Sequence, residues 1–141
     1  MGRIIIIVSY HFIHMKIVKF KAWHRKLNNT GTMLDVKTIE FLSDNTTNVN
    51  IDFPSPILLP FTGLLDRNGR EVYKGDIVRF LKKIGYGWGN DKGDICEVKW
   101  FDTGSYVGFG FRPDVPLTAN KARNIEVIGN VYENLELSQQ Q

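Results

Sequence analysis

At 141 residues, 43% hydrophobic and 23% charged, the chain is long enough to bury a core of its own without disulfides or a metal. A single cysteine, Cys96, excludes a disulfide framework and suits a reducing cytoplasm. The net charge of +3 resides wholly in residues 1–60, with seven Lys/Arg against four Asp/Glu; residues 61–141 carry eleven of each, which excludes a basic nucleic-acid domain by charge in the larger part.

The chain opens with MGRIIIIVSYHFIHM. The apolar block Ile4–Val8 is too short for the core of a signal peptide and far below the roughly 20 residues of a membrane span. It is either an extra β-branched strand or a leader outside the domain. Met15 stands immediately before a patterned strand and is favoured as the natural start, which makes residues 1–14 a non-domain leader. Exposed, the isoleucine block would be prone to aggregation, so it should pair with something.

Val18, Phe20 and Ala22 alternate with Lys19 and Lys21, the period of a strand with one wet face. Leu27–Thr32 is rich in Asn and Gly and predicts a turn. Met33–Leu42 predicts a second strand or two short ones, and Ser43–Asn50 a polar loop. Pro54, Pro56 and Pro60 cannot donate to a sheet ladder, so Ile51–Pro60 is expected as extended linker or edge. Residues 15–60 thus form an N-terminal β extension ending in a Pro-rich linker.

The second part, residues 61–137, starts near Phe61. Asp66-Arg67-Asn68-Gly69 is a strong turn signal. It is followed by Glu71–Tyr73, Lys74-Gly75-Asp76 and a strand over Ile77–Lys83. Gly85–Gly93 predicts a long loop, Asp94–Phe101 a strand, and Thr103-Gly104 a tight turn. Tyr106–Phe111 is the return strand, with Val107, Phe109 and Phe111 on one face and Gly108 and Gly110 on the other. Arg112–Arg123 is a loop with one helical turn over Thr118–Arg123. Asn124–Ile128 is a further strand, Gly129–Leu137 closes the domain, and 138–141 form a frayed tail. Short strands between Gly- and Pro-rich turns predict a mainly β fold, a sandwich or small barrel.

No constellation points to catalysis. Every histidine (His11, His14, His24) precedes residue 25, so no Ser/His/Asp set and no base for Cys96 is assembled. The apolar alternation Cys96-Val98-Trp100 predicts a core cysteine. His11 and His14 have a metal-like spacing but no third ligand nearby, so no metal or cofactor is expected. Asp66 and Asp76 are expected to satisfy backbone N–H groups at turns. Gly85-Tyr86-Gly87-Trp88-Gly89 leads into a strand rather than a helix, which argues against a phosphate loop. Its aromatics make it a candidate partner-binding loop, with Tyr86, Trp88 and Lys92 as contacts.

Three stretches together resemble the YopX family of bacteriophage and prophage proteins. Val18-Lys19-Phe20-Lys21-Ala22-Trp23 resembles its opening strand. Phe61-Thr62-Gly63-Leu64-Leu65-Asp66-Arg67-Asn68-Gly69-Arg70-Glu71-Val72-Tyr73-Lys74-Gly75-Asp76-Ile77-Val78 is similar to its central signature. Asn124 to Asn134 (NIEVIGNVYEN) is similar to its closing motif. The resemblance spans roughly residues 16–137. It departs where His24, rather than Asp, follows Trp23, and where Pro60-Phe61 replaces a Gln-Tyr pair. It implies an SH3-like barrel in the C-terminal part and a phage or mobile-element origin. It implies no activity, because the family is functionally unassigned.

These readings lead to a non-enzymatic accessory protein of the bacterial cytoplasm that binds another macromolecule, by engaging a protein partner or by self-association. The alternative is a nucleic-acid-binding module. It would contact phosphates through Lys19, Lys21, Arg25 and Lys26 and stack bases on Tyr86, Trp88 or Trp100. A basic stripe continuous with exposed aromatics would favour nucleic acid; an apolar patch with mixed charge would favour protein.

Overall fold

The computed structural model describes residues 19–26, 30–36, 56–82 and 93–139. The chain divides into two compact units, Met1–Pro60 and Phe61–Gln141. In the first unit, β1 (Phe20–Arg25) pairs antiparallel with β2 (Gly31–Asp35) on one side and with residues 57–60 of β3 (Ile57–Leu65) on the other. Ala22, Trp23, His24 and Leu59 are buried. Both parities of β1 are therefore covered at its middle, which an alternating Lys/apolar strand does not suggest. Gly31 belongs to β2 and not to the expected Leu27–Thr32 turn. A β-carbon there would fall inside the Trp23 indole, so the position needs a glycine for close approach. The rest of the expected Met33–Leu42 strand beyond residue 36, the leader and the polar loop lie outside the described residues. Pro60 stands in β3, opposite Phe20 of β1, within the stretch expected as extended linker or edge.

The second unit takes over β3 at Phe61. Phe61 pairs with Tyr73 and Leu65 with Glu71 of β4 (Glu71–Tyr73), and the ladder is irregular between them. Gly63 takes φ 84° in that interruption. The Thr62 hydroxyl bridges it, donating to the Val72 carbonyl at 2.8 Å and accepting from the Leu64 N–H at 3.3 Å. A turn at Lys74-Gly75, with Gly75 at φ 86°, leads into β5 (Asp76–Phe80).

β5 is the central strand of the order β10-β5-β6, with β6 at Ile95–Glu97 and β10 at Ile125–Asn130. Flanked on both edges, it buries every residue except Arg79. The expected single strand Asp94–Phe101 is two, because the chain changes partner at Val98. β6 pairs with β5, the Val98 N–H donates to the Asp76 carbonyl at 2.8 Å, and β7 (Lys99–Asp102) pairs with β8 (Val107–Arg112) instead. β8 continues the second sheet, β7-β8-β9, with β9 at Val115–Pro116. One helical turn, α1 (Ala119–Ala122), is capped by Thr118, whose side chain accepts from the Lys121 N–H.

The ladders among the described residues are antiparallel, and the curled sheets form a half-barrel, consistent with a small β-barrel. Its core gathers Val72, Val78, Phe80, Val98, Phe111, Val115, Leu117, Ala122, Ile125 and Val127. Phe80 meets Phe111 edge to face at 4.9 Å. Each fully buried large side chain here contributes about 2 kcal/mol by removal from water. The last element among the described residues is α2 (Leu135–Ser138), so Ser138 is helical, its hydroxyl donating to the Leu135 carbonyl at 2.7 Å. No helix among the described residues is long and apolar enough to cross a membrane.

Candidate functional site

The β7–β8 hairpin carries the most exposed aromatic surface among the described residues. Its turn is built from local chemistry. Asp102 accepts the Gly104 N–H at 3.1 Å, the Thr103 N–H donates to the Tyr106 carbonyl at 2.9 Å, and Gly104 takes φ 78°. The register sets Trp100 opposite Phe109 and Asp102 opposite Val107 on one face, and Lys99 opposite Gly110 and Phe101 opposite Gly108 on the other.

The glycine face is closed. The Tyr106 ring lies where a β-carbon on Gly108 would stand, and its hydroxyl donates to the Phe109 carbonyl. Burial pushes the Tyr106 phenol above its ordinary 10.0. Phe101 and the Val115 carbonyl crowd Gly110 in the same way.

The opposite face starts as core and runs out of cover. Val98 and Phe111 at its base are buried, Phe109 is half-buried against the core, and Trp100 and Val107 beyond are 51% and 59% exposed. Trp100 stacks edge to face on Phe109, with ring centroids 4.9 Å apart and planes at 82°. The indole is therefore braced from below by a ring that is itself packed on the core. Exposed Asp102 shares this face, whereas Lys99, paired with Glu97 at 3.2 Å, and Arg112, paired with Asp114 at 3.7 Å, have the parity of the glycine face. The alternation Cys96-Val98-Trp100 leaves the core at the change of partner strand, and Trp100 stands exposed. Cys96 is half-buried against the core and Val98 is fully buried.

The four expected nucleic-acid contacts fall on the first unit. Lys19, Lys21 and Arg25 share one parity of the strand, and Lys26 has the other. Between Lys21 and Arg25 stands buried Trp23, and Lys21 faces Asp35 across the ladder to β2. Lys19, Lys21 and Arg25 also make interactions of their own. The run is thus interrupted rather than a continuous basic stripe. Tyr86, Trp88 and Lys92 lie outside the described residues. Among the described residues, no group of three His, Cys, Asp or Glu is placed to hold a metal ion.

The two turn carboxylates occupy structural positions. Asp76 accepts the Tyr73 N–H at 2.8 Å. Asp66, buried, accepts the Asn68 and Arg70 N–H groups at 2.8 and 2.9 Å with one oxygen and the Val127 N–H at 2.9 Å with the other. Arg67 N–H adds a bond to the Ile125 carbonyl at 3.1 Å, so the β3–β4 turn is fastened to β10.

A family model described as YopX protein matches residues 10–138, a span that begins ahead of Met15. The crystal structure of protein EF1440 from Enterococcus faecalis is similar, with a TM-score of 0.57 at 24% identity, covering 86% of this chain and 97% of that one. At that identity the likeness bears on the fold alone. No curated protein matches.

Proposed function

The chain belongs to the YopX family, and from that premise we propose that it is a non-enzymatic accessory protein of phage or prophage origin, acting in the bacterial cytoplasm by docking a protein partner on the open face of the β7–β8 hairpin. The observation that carries this reading is the pair Trp100–Phe109. A tryptophan half out of solvent, braced on a core-packed ring and flanked by exposed Val107, is the make-up of a protein-binding anchor. The interrupted basic run of β1 gives the nucleic-acid alternative less support, since phosphate tracking needs a continuous positive groove.

The test is affinity capture of the full-length protein from host cells, with nuclease present, beside the variants Trp100→Ala and Val107→Asp. A partner protein retained by the parent, resistant to nuclease and lost from both variants supports the reading. A partner retained equally by the variants, or released by nuclease, overturns it. Thermal melts of the variants separate loss of binding from loss of fold.

A further inference from the structure

The turn that fastens β3–β4 to β10 contains Asn68 followed by Gly69, a pair with its own covalent chemistry. The backbone nitrogen of a residue after asparagine can attack the side-chain amide carbon. A C–N bond forms, the bond from that carbon to the amide nitrogen breaks, and ammonia leaves. Water then opens the resulting succinimide to aspartate or isoaspartate. Glycine is the following residue that hinders this attack least, having no β-carbon beside the nucleophile.

We infer that Asn68 is a deamidation site held in check by the folded turn. Asn68 is exposed, and its side-chain amide is open to attack: it makes no hydrogen bond among the described residues. The nucleophile, however, is occupied. The Gly69 N–H donates to the Asp66 carbonyl at 3.1 Å, which keeps the proton on the nitrogen that would have to lose it. The geometry is fixed from both sides as well. The Asp66 carboxylate holds the N–H groups of Asn68 and Arg70, and Gly69 is pinned at φ 78°. Ring closure takes the proton from the Gly69 nitrogen, so it proceeds through states in which its bond to the Asp66 carbonyl has opened.

The product would strike the same structure. Isoaspartate inserts an extra backbone carbon between the two N–H groups that one Asp66 oxygen now spans, and either product adds a carboxylate next to that buried one. The fastening of Asp66 to the Val127 N–H and of Arg67 to the Ile125 carbonyl is what the modified turn must then accommodate. Asn68 thereby becomes a chemical record of how long the turn has spent open.

The experiment incubates the full chain in mildly alkaline buffer, folded and in denaturant, and follows aspartate and isoaspartate at position 68 by peptide mass spectrometry with an isoaspartate-specific enzyme assay. The unfolded chain is expected to deamidate at position 68 at least about tenfold faster than the folded one, the ratio reflecting the closed turn. Asp66→Asn, folded, is expected to fall between them, and Asn68→Gln to give no product at that position on the same timescale. Equal rates in folded and unfolded chains overturn the inference, as does a folded chain that deamidates faster. The parent comparison needs no variant, so it stands even if Asp66→Asn does not fold.

Discussion

The Asp66 carboxylate accepts the backbone N–H of Val127 at 2.9 Å across a separation of 61 residues. With its other oxygen it closes its own turn, so a single side chain both shapes the β3–β4 connection and ties it to the last strand of the barrel. Asp66→Ala leaves the buried Val127 N–H without an acceptor, whereas water can reach those of exposed Asn68 and Arg70. The substitution is expected to destabilise by about 2–4 kcal/mol, read as a lower denaturant midpoint with an unchanged slope. A loss within about 0.5 kcal/mol would mean that the tie between turn and strand contributes little.

Gly75 makes a similar connection through the backbone. At φ 86° its N–H donates to the Val98 carbonyl at 2.8 Å, and its own carbonyl accepts from the Val131 N–H at 3.0 Å. A β-branched residue is strained at that angle, and relaxing the strain would break one of the two bonds. Gly75→Val is expected to cost about 1–3 kcal/mol. An unchanged denaturant midpoint would show that the backbone can shift there freely.

What could be read from the sequence was the local chemistry. Asp66 and Asp76 were legible as turn acceptors because the N–H groups they satisfy lie within four residues. The bond to Val127 was not, since nothing in the turn encodes a partner that only folding brings near. Glycines show the same division. The motif Gly63, Gly69 and Gly75 takes positive φ, as turn-forming neighbours suggest. Gly129 makes room instead: a β-carbon there would stand 2.5 Å from the Asn134 amide oxygen and displace the side chain that caps the Asn130 N–H. The open hairpin face escaped notice for a related reason. Alternation from Cys96 to Trp100 gives the side on which each residue points, but not where the opposing core stops.

Alkaline titration offers a test of packing around Tyr132. Burial first, and the nearby Glu97 carboxylate second, hold its phenol above the ordinary 10.0. Above pH 10.0 the unfolded chain therefore releases this proton before the folded one does. The stabilisation is complete below that pH and is lost as pH climbs through the folded value. Tyr106 acts in the same direction, whereas Lys121, lowered by burial, acts in the opposite one. The difference between the parent and Tyr132→Phe isolates the residue: the parent should lose stability relative to the variant as pH rises past 10.0. Parallel stability curves across that range would show that the phenol is solvated as in the unfolded chain.

Trp100 reports directly on the hairpin face. Its indole is 51% exposed, whereas Trp23 is 7% exposed, so the two differ in solvent contact. Subtracting the fluorescence of Trp100→Phe from that of the parent isolates the Trp100 emission without disturbing buried Trp23. In the free protein this difference spectrum should be red-shifted and quenched readily by acrylamide. Truncation to Trp100→Ala removes the edge-to-face contact with Phe109 and the covered half of the indole, so it should cost about 1–3 kcal/mol without unfolding the barrel. Addition of the captured partner should shift the difference spectrum to the blue and protect it from quencher, because a binding anchor works by leaving water. A Trp100 signal that is already blue and protected in the isolated monomer would mean that the face is covered from within. The docking surface would then have to be sought elsewhere on the molecule.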